Sequence, residues 1–180
     1  MIVKIKRWET ISELIKKNNF KTYIEVGVAR GKSSEPVLKS ITDPDFKYYG
    51  VDPYISYDEY SNDTNSIPEK IKENYELAME NTFSDPRTTL IRKFSKEASE
   101  EFEDGSIDMI FIDANHTYPF VKEDIQLWYP KVKSGGIFSG HDYSPRLFRG
   151  AVKKAVDEFC LEYGYKVNTR DDVMWFVQKK

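Results

Sequence analysis

The sequence predicts one α/β domain: a doubly wound, mostly parallel seven-stranded sheet with helices on both faces and an antiparallel hairpin at its C-terminal end. Three observations lead there. Short β-branched and aromatic runs alternate along the chain with segments of helical periodicity. The first run, TYIEVGV over 22–28, passes through a glycine turn into a helix-forming segment. The last two, YKVNT and VMWFVQ, close the chain as a hairpin.

Taken in order, Thr10 and Glu13 read as a capping box before a short amphipathic helix with Ile11, Leu14 and Ile15, so residues 1–20 supply a flanking helix or lid. After the strand 22–28 comes RGKSSEPVLKSI, where Ser34 and Pro36 suit a helix entrance. KYYGVD (47–52) is the second strand, TTLIRKF (88–94) the third, after the breaker Asp85-Pro86, and SIDMIFID (106–113) the fourth. Thr117 and Pro119 open a helix to about Val132, which Ser134, Gly135 and Gly136 stop before the strand GIFSGHD. Ser144-Pro145 starts a further helix with an apolar stripe of Leu147, Phe148, Ala151, Val152, Ala155, Val156 and Phe159, and Gly164 stands at its left-handed cap. Residues 54–70 are polar, acidic and tyrosine-rich, the pattern of a flap over a site or of a plain surface insertion.

Composition narrows the function. With 180 residues, 39% hydrophobic and 32% charged, the chain fits one ordinary globular domain spanning 1–180. A net charge of −3 argues against nucleic acid as a partner, because phosphate backbones call for a basic face. Cys160 is the only cysteine, which excludes an internal disulfide or a cysteine-based zinc cluster and suits a role in helix packing. The start, MIVKIKRW, lacks the apolar run of a signal peptide or membrane span, so the expected setting is cytoplasmic with no membrane partner. Association into a homo-oligomer is left open.

In sheets of this kind ligands lie outside the carboxyl ends of the strands, near the switch in strand order, so the loops after Val28, Asp52, Phe94, Asp113 and Asp142 are the places to search. Glu25, Gly27, Ala29 and Gly31 form E-x-G-x-A-x-G at the first strand-to-helix turn. Glycine suits such a turn because the backbone must bend tightly and approach a ligand closely. Asp52 ends the next strand, where its carboxylate can accept both ribose hydroxyls of a nucleoside or simply cap the strand end. A second cluster gathers Asp113, Asn115, His116, Tyr118, His141 and Asp142 at the ends of two strands expected to be neighbours, and it contains the chain's only two histidines. Two acids and an imidazole converging there can bind a divalent ion.

The segments YIEVGVARGKSS, YYGVDPY and IDMIFIDANHTYPFVKEDIQLWYPKVKSGGIFSGHDYS resemble the class I S-adenosylmethionine (SAM)-dependent methyltransferases. The resemblance is strongest to small-molecule O-methyltransferases akin to macrocin and catechol O-methyltransferases. It implies a Rossmann-like fold, SAM as cofactor, and methyl transfer to a hydroxyl of a small-molecule acceptor. It further implies that Gly27 and Gly31 border the methionine part of SAM, Glu25 approaches its amino end, Asp52 holds the ribose, and Ser95 lies beside the adenine. Ser95 also reads as the N-cap of the helix KEASEEF. Ala29 departs from the glycine commoner at the middle position. Metal-dependent relatives imply Asp113, His141 and Asp142 as ligands of Mg²⁺ or Mn²⁺, with His141 replacing the usual oxygen ligand. His116 falls where catechol-type relatives carry a lysine base, which makes it the candidate base beside Asp113.

Two rivals remain in the sequence. Tyr118 and Lys122 have the Y-x-x-x-K spacing of nicotinamide-dependent dehydrogenases, but the pair directly follows the fourth strand and the glycine turn lacks the NAD(P) pattern. A SAM-binding module without chemistry is the other. Methylation of nucleic-acid bases or protein amides is disfavoured, since DANH stands where those enzymes carry a [DN]-P-P-[YFW] tetrapeptide. Arg146 with Arg149, and Lys153 with Lys154, lie on or near the helix that follows Ser144-Pro145 and read as its solvated face.

Overall fold

The protein is described by a computed structural model covering residues 5–56, 67–170 and 172–180. Strand β1 (Thr22–Val26) lies at the centre of one seven-stranded sheet. On one side of it run β2 (Lys47–Val51) and β3 (Thr88–Ile91); on the other run β4 (Ile107–Ile112) and β5 (Val132–Gly140), all parallel. Beyond β5, strand β7 (Met174–Gln178) pairs antiparallel, and β6 (Asn168–Arg170) pairs antiparallel with β7 at the edge. The order is therefore 3-2-1-4-5-7-6, the doubly wound sheet and closing hairpin that the alternation predicts.

The strand period of two sorts side chains into two cores. Ile24, Val26, Ile110, Ile112 and Phe138 join helices α5 (Tyr118–Trp128) and α6 (Ala151–Tyr163) on one face. Tyr23, Met109, Phe111 and Ile137 join helices α1 (Arg7–Asn18) and α2 (Ser34–Ser40) on the other. Cys160 is buried in the first core, as its packing role predicts. Lys153 and Lys154 pair with Asp157 and Glu158 one helical turn away, on the solvated side of α6.

Several boundaries differ from the sequence reading. Helix α1 starts at Arg7 rather than after Thr10: the carboxylate of Glu9 accepts the Lys6 N–H at 2.7 Å, so the acid of the first turn does the capping and Thr10 is buried inside the helix. Helix α5 stops at Trp128 and a 3₁₀ turn, Tyr129–Lys131, leads into β5, which begins at Val132 before the glycines. Gly135 and Gly136 therefore bend a strand rather than end a helix; the β4–β5 register shifts there, and a Cβ on Gly136 would meet the Asp108 carbonyl oxygen at 2.7 Å. Helix α6 begins at Ala151, after a 3₁₀ turn, Leu147–Gly150, in which Phe148 and Arg149 have φ of 46° and 54°. That turn swings Leu147 and Phe148 out of the expected stripe, leaving them 36% and 46% exposed.

Helix α3 (Pro68–Asn81) was not legible in the sequence, because only Asn74 and Ala78 are fully buried and its other apolar residues, such as Ile71 and Tyr75, are only partly covered and separated by charged ones. Of the proposed flap 54–70, residues 57–66, with Tyr57 and Tyr60, lie outside the described residues. Its flanks belong to the framework: Tyr54 is 7% exposed and packs with Val28 and Ala78, and residues 68–70 open α3. Among the described residues no helix is long and apolar enough to cross a membrane.

Candidate functional site

A cavity of about 240 Å³ opens at the carboxyl ends of β1, β2 and β4, with Gly27, Ala29, Asp52, Tyr54, Ser95 and Asp113 in its wall. This is the switch point of the sheet, since β2 and β4 leave β1 in opposite directions.

The turn after β1 is shaped by close backbone approach. Gly27 has φ +90°, and a Cβ there would lie 2.2 Å from the Asp113 carbonyl oxygen and 2.8 Å from the Ala114 Cα. Ala29, at the middle position, also adopts positive φ, 49°, a conformation that a side chain disfavours. Asp52 holds this turn: its Oδ2 accepts the N–H of Val28 at 3.1 Å and of Ala29 at 2.9 Å, and its Oδ1 accepts that of Tyr54 at 3.0 Å. Burial raises the Asp52 pKa, against the opposing pull of those three N–H groups. The cap reading and the ligand reading of Asp52 coexist, because three N–H groups leave Oδ1 one further acceptor direction.

Two motif residues stay out of the cavity wall. Glu25 points to the α1–α2 side of the sheet, 2% exposed, and accepts the Tyr48 hydroxyl at 2.7 Å. Burial pushes its pKa up to about 8, although the Tyr48 bond works the other way. Gly31, with φ +76°, faces helix α3, where a Cβ would meet the Thr82 Oγ1 at 2.3 Å.

At the other end of the cavity Ser95 is the first residue of helix α4 (Ser95–Ser99), with Phe94 in the cap position. Its hydroxyl is committed to tertiary partners instead of the helix end: it donates to Asp124 Oδ1 and accepts the Trp128 Nε1–H at 2.8 Å. Asp124 is 5% exposed and lines the cavity; burial pushes its pKa up to about 7 while the Ser95 bond opposes. Sequence reasoning missed it. The signal was an acid on the buried α5 face that Val121, Ile125 and Trp128 define.

The second cluster forms beside the cavity. His116 Nε2 lies 3.2 Å from Asp113 Oδ1 and 2.8 Å from Asp142 Oδ2, and Phe148 stacks on its ring at 4.1 Å and 8°. His141 Nδ1 lies 3.2 Å from Asp142 Oδ1 and 3.8 Å from Asp113 Oδ1. Donor atoms of Asp113, His141 and Asp142 all fall within 4.8 Å of one another. Burial disfavours the His116 imidazolium, but bonds and charge from Asp113 and Asp142 outweigh it and raise its pKa to about 9. Burial likewise works against the Asp142 carboxylate, yet His116 and His141 hold its pKa below the ordinary carboxylate range. Asn115 accepts the Thr117 N–H at 2.9 Å and so turns the chain into α5. Tyr118 donates to Glu158 at 2.5 Å with Lys122 beside it, so the Y-x-x-x-K pair serves the α5–α6 packing and not the cavity.

Arg7 is a second residue of the candidate site that the sequence did not reveal. From the first turn of α1 its Nε donates to Ser33 Oγ at 2.8 Å, Nη1 lies 3.3 Å from His141 Nε2 and Nη2 lies 3.6 Å from Asp113 Oδ2. Nothing in the spacing of MIVKIKRW indicates such reach, which depends on how α1 crosses the sheet.

Residues 24–143 match the protein family described as a methyltransferase domain. Among solved structures, the O-methyltransferase NovP superposes with a TM-score of 0.71 at 18% identity, over 97% of this chain and 79% of that one. A Staphylococcus aureus structure assigned as a caffeoyl-CoA O-methyltransferase superposes with a TM-score of 0.70 at 22% identity, over 100% and 86%. The Podospora anserina methyltransferase PaMTH1, solved with SAH bound, has a TM-score of 0.67 at 14% identity, over 97% and 78%. At these identities the likeness establishes the shared fold. The uncharacterized protein y4gI of Sinorhizobium fredii is 37% identical over 57 residues, 32% of this chain and only 6% of its own length.

Proposed function

The chain belongs to the methyltransferase-domain family, and on that premise we propose that it is a SAM-dependent O-methyltransferase acting on a hydroxyl of a small molecule. One observation carries the reading: the cavity at the switch point joins the tight Gly27 turn, the Asp52 carboxylate and the Ser95–Asp124 pair in one wall, next to the Asp113–His116–Asp142 cluster. The neighbouring O-methyltransferase folds support it.

SAM, when bound, supplies an electrophilic methyl group on a sulfonium. The residues fit that ligand. The Gly27 turn presents bare backbone because no Cβ is tolerated there, and Asp52 Oδ1 keeps an acceptor direction for a ribose hydroxyl. Ser95 and Asp124, at the far end, provide polar groups for a base. The cavity wall around them includes Phe94 and Phe120, flat surfaces suited to a ring system.

Asp113, His141 and Asp142 would hold a divalent ion, and their two carboxylates with one imidazole fit Mn²⁺ better than Mg²⁺. Such an ion lowers the pKa of a coordinated hydroxyl. His116 stands between Asp113 and Asp142 where it can hold the acceptor's proton. It takes that proton only after giving up its own, so the two carboxylates set the pH at which the base works. The single, buried Cys160 suits the reducing cytoplasmic setting we propose.

A thermal-shift series tests the function. SAM or SAH raises the melting temperature and NAD(H) does not; the reverse result overturns the reading. Replacing His116 or Asp113 with Ala then separates enzyme from binding module, since a catalytic site loses turnover and retains SAH.

A further inference from the structure

Arg7 reaches the candidate ion site from an element that lies outside the cavity. Its side chain is 21% exposed, and its guanidinium is anchored by Ser33 while it faces His141 and Asp113. A second partner waits on the outer side: Asp172, between β6 and β7, places Oδ2 3.4 Å from the Arg7 backbone N and 3.8 Å from Nη1. Arg7 thus stands between two acceptor sets, one in the site and one at its rim.

The inner set is incompatible with an ion on the same residues. A guanidinium carries only N–H donors, so the His141 Nε2 that faces it must be the bare, accepting nitrogen. The ring hydrogen then sits on Nδ1, directed at Asp142 Oδ1 at 3.2 Å. An ion taken by Nε2 occupies the place of Arg7. An ion taken by Nδ1 moves the hydrogen to Nε2, which then opposes a donor with a donor. Either way Arg7 loses His141, and its positive charge beside Asp113 repels the incoming cation.

We propose that Arg7 and a divalent ion are mutually exclusive partners of His141 and Asp113, so that loading the site releases Arg7 and with it the first turn of helix α1. The proposal rests on the reading of Asp113, His141 and Asp142 as ion ligands. It makes Arg7 a positioning residue, a built-in cation that keeps the carboxylates and the imidazole in place before loading.

The test is direct binding of Mn²⁺ alone, by calorimetry or by electron paramagnetic resonance, to the full chain and to Arg7→Gln. Removing the competing charge should tighten Mn²⁺ binding about tenfold or more. Affinity unchanged or weakened in Arg7→Gln overturns the proposal and leaves the ligand assignment standing. Absence of saturable Mn²⁺ binding in both proteins overturns it together with that assignment. SAH binding, measured on the same samples, reports separately on the methyltransferase reading. Should Arg7→Gln fail to fold, the wild-type chain decides alone: saturating Mn²⁺ should speed amide exchange over residues 7–10, and unchanged exchange there refutes the release of α1.

Discussion

Tyr54 donates its hydroxyl hydrogen to the Ala29 carbonyl oxygen at 2.7 Å, tying the loop after β2 to the turn after β1. Both residues have φ of 49°, so two side-chain-bearing residues in left-handed conformation face each other across the cavity wall. Strain of this sort persists only where surrounding bonds enforce it. Tyr54→Phe should lower stability by about 1 kcal/mol, the net worth of one hydrogen bond. Ala29→Gly should raise it by roughly 0.5 kcal/mol, because relief of the left-handed conformation exceeds glycine's added chain entropy. Urea unfolding measures both; a stabilising Tyr54→Phe would remove the staple from the account.

Asp52 serves the fold and the proposed cofactor with the same carboxylate, and its substitutions separate the two. Asp52→Ala leaves the N–H groups of Val28, Ala29 and Tyr54 without their acceptor, so it should both destabilise the turn and weaken SAH by about ten- to a hundred-fold. Asp52→Asn keeps one carbonyl oxygen for the N–H groups, and it should recover much of the stability while binding SAH less well than wild type. Calorimetry that finds wild-type affinity in both variants eliminates the ribose assignment.

Glu25 makes stability fall with rising pH. Its folded-state pKa, about 8, lies above the ordinary value of 4.5, so between these values the folded protein binds more protons than the unfolded chain. The contribution is fully present below about pH 4.5 and is lost as pH rises towards 8. Glu25→Gln keeps a hydrogen-bonding group opposite Tyr48 and removes the titration. Its melting temperature should therefore decline less than that of wild type between pH 5 and 8. Parallel curves for the two proteins would contradict the buried carboxyl.

His116 should titrate near pH 9 in the absence of added metal, and the chain's two histidines make this readable by NMR of the ring carbons. The sign follows from Asp113 and Asp142, which favour the imidazolium. Its contribution to stability is present below the unfolded value near 6.5 and is lost as pH rises through about 9. Asp142→Asn removes one of the two charges and should move the titration down. A His116 titration at or below 6.5 in the wild type would show that burial outweighs the carboxylates.

The sequence by itself determined the sheet, because each strand carries its own signal: β-branched runs such as TYIEV and IDMIFI are buried on both faces and read the same in any context. It also determined which residues meet at the strand ends, since a parallel sheet delivers every such end to one edge. Gly27, Asp52, Ser95 and Asp113 consequently share one cavity, and His116, His141 and Asp142 share one cluster. What the tertiary structure decided is the direction in which side chains spend their hydrogen bonds. Glu25 turned to Tyr48 because the strand period placed it on the α1–α2 side of the sheet, and the close approach of Thr82 left no room for a side chain at Gly31. Phe148 left its helical stripe for His116 when Gly150 delayed the start of α6. Arg7 reached His141 and Asp113 across more than a hundred residues of sequence, a pairing that no local spacing encodes and that exists only because α1 packs with Ile11, Leu14 and Ile15 against the sheet.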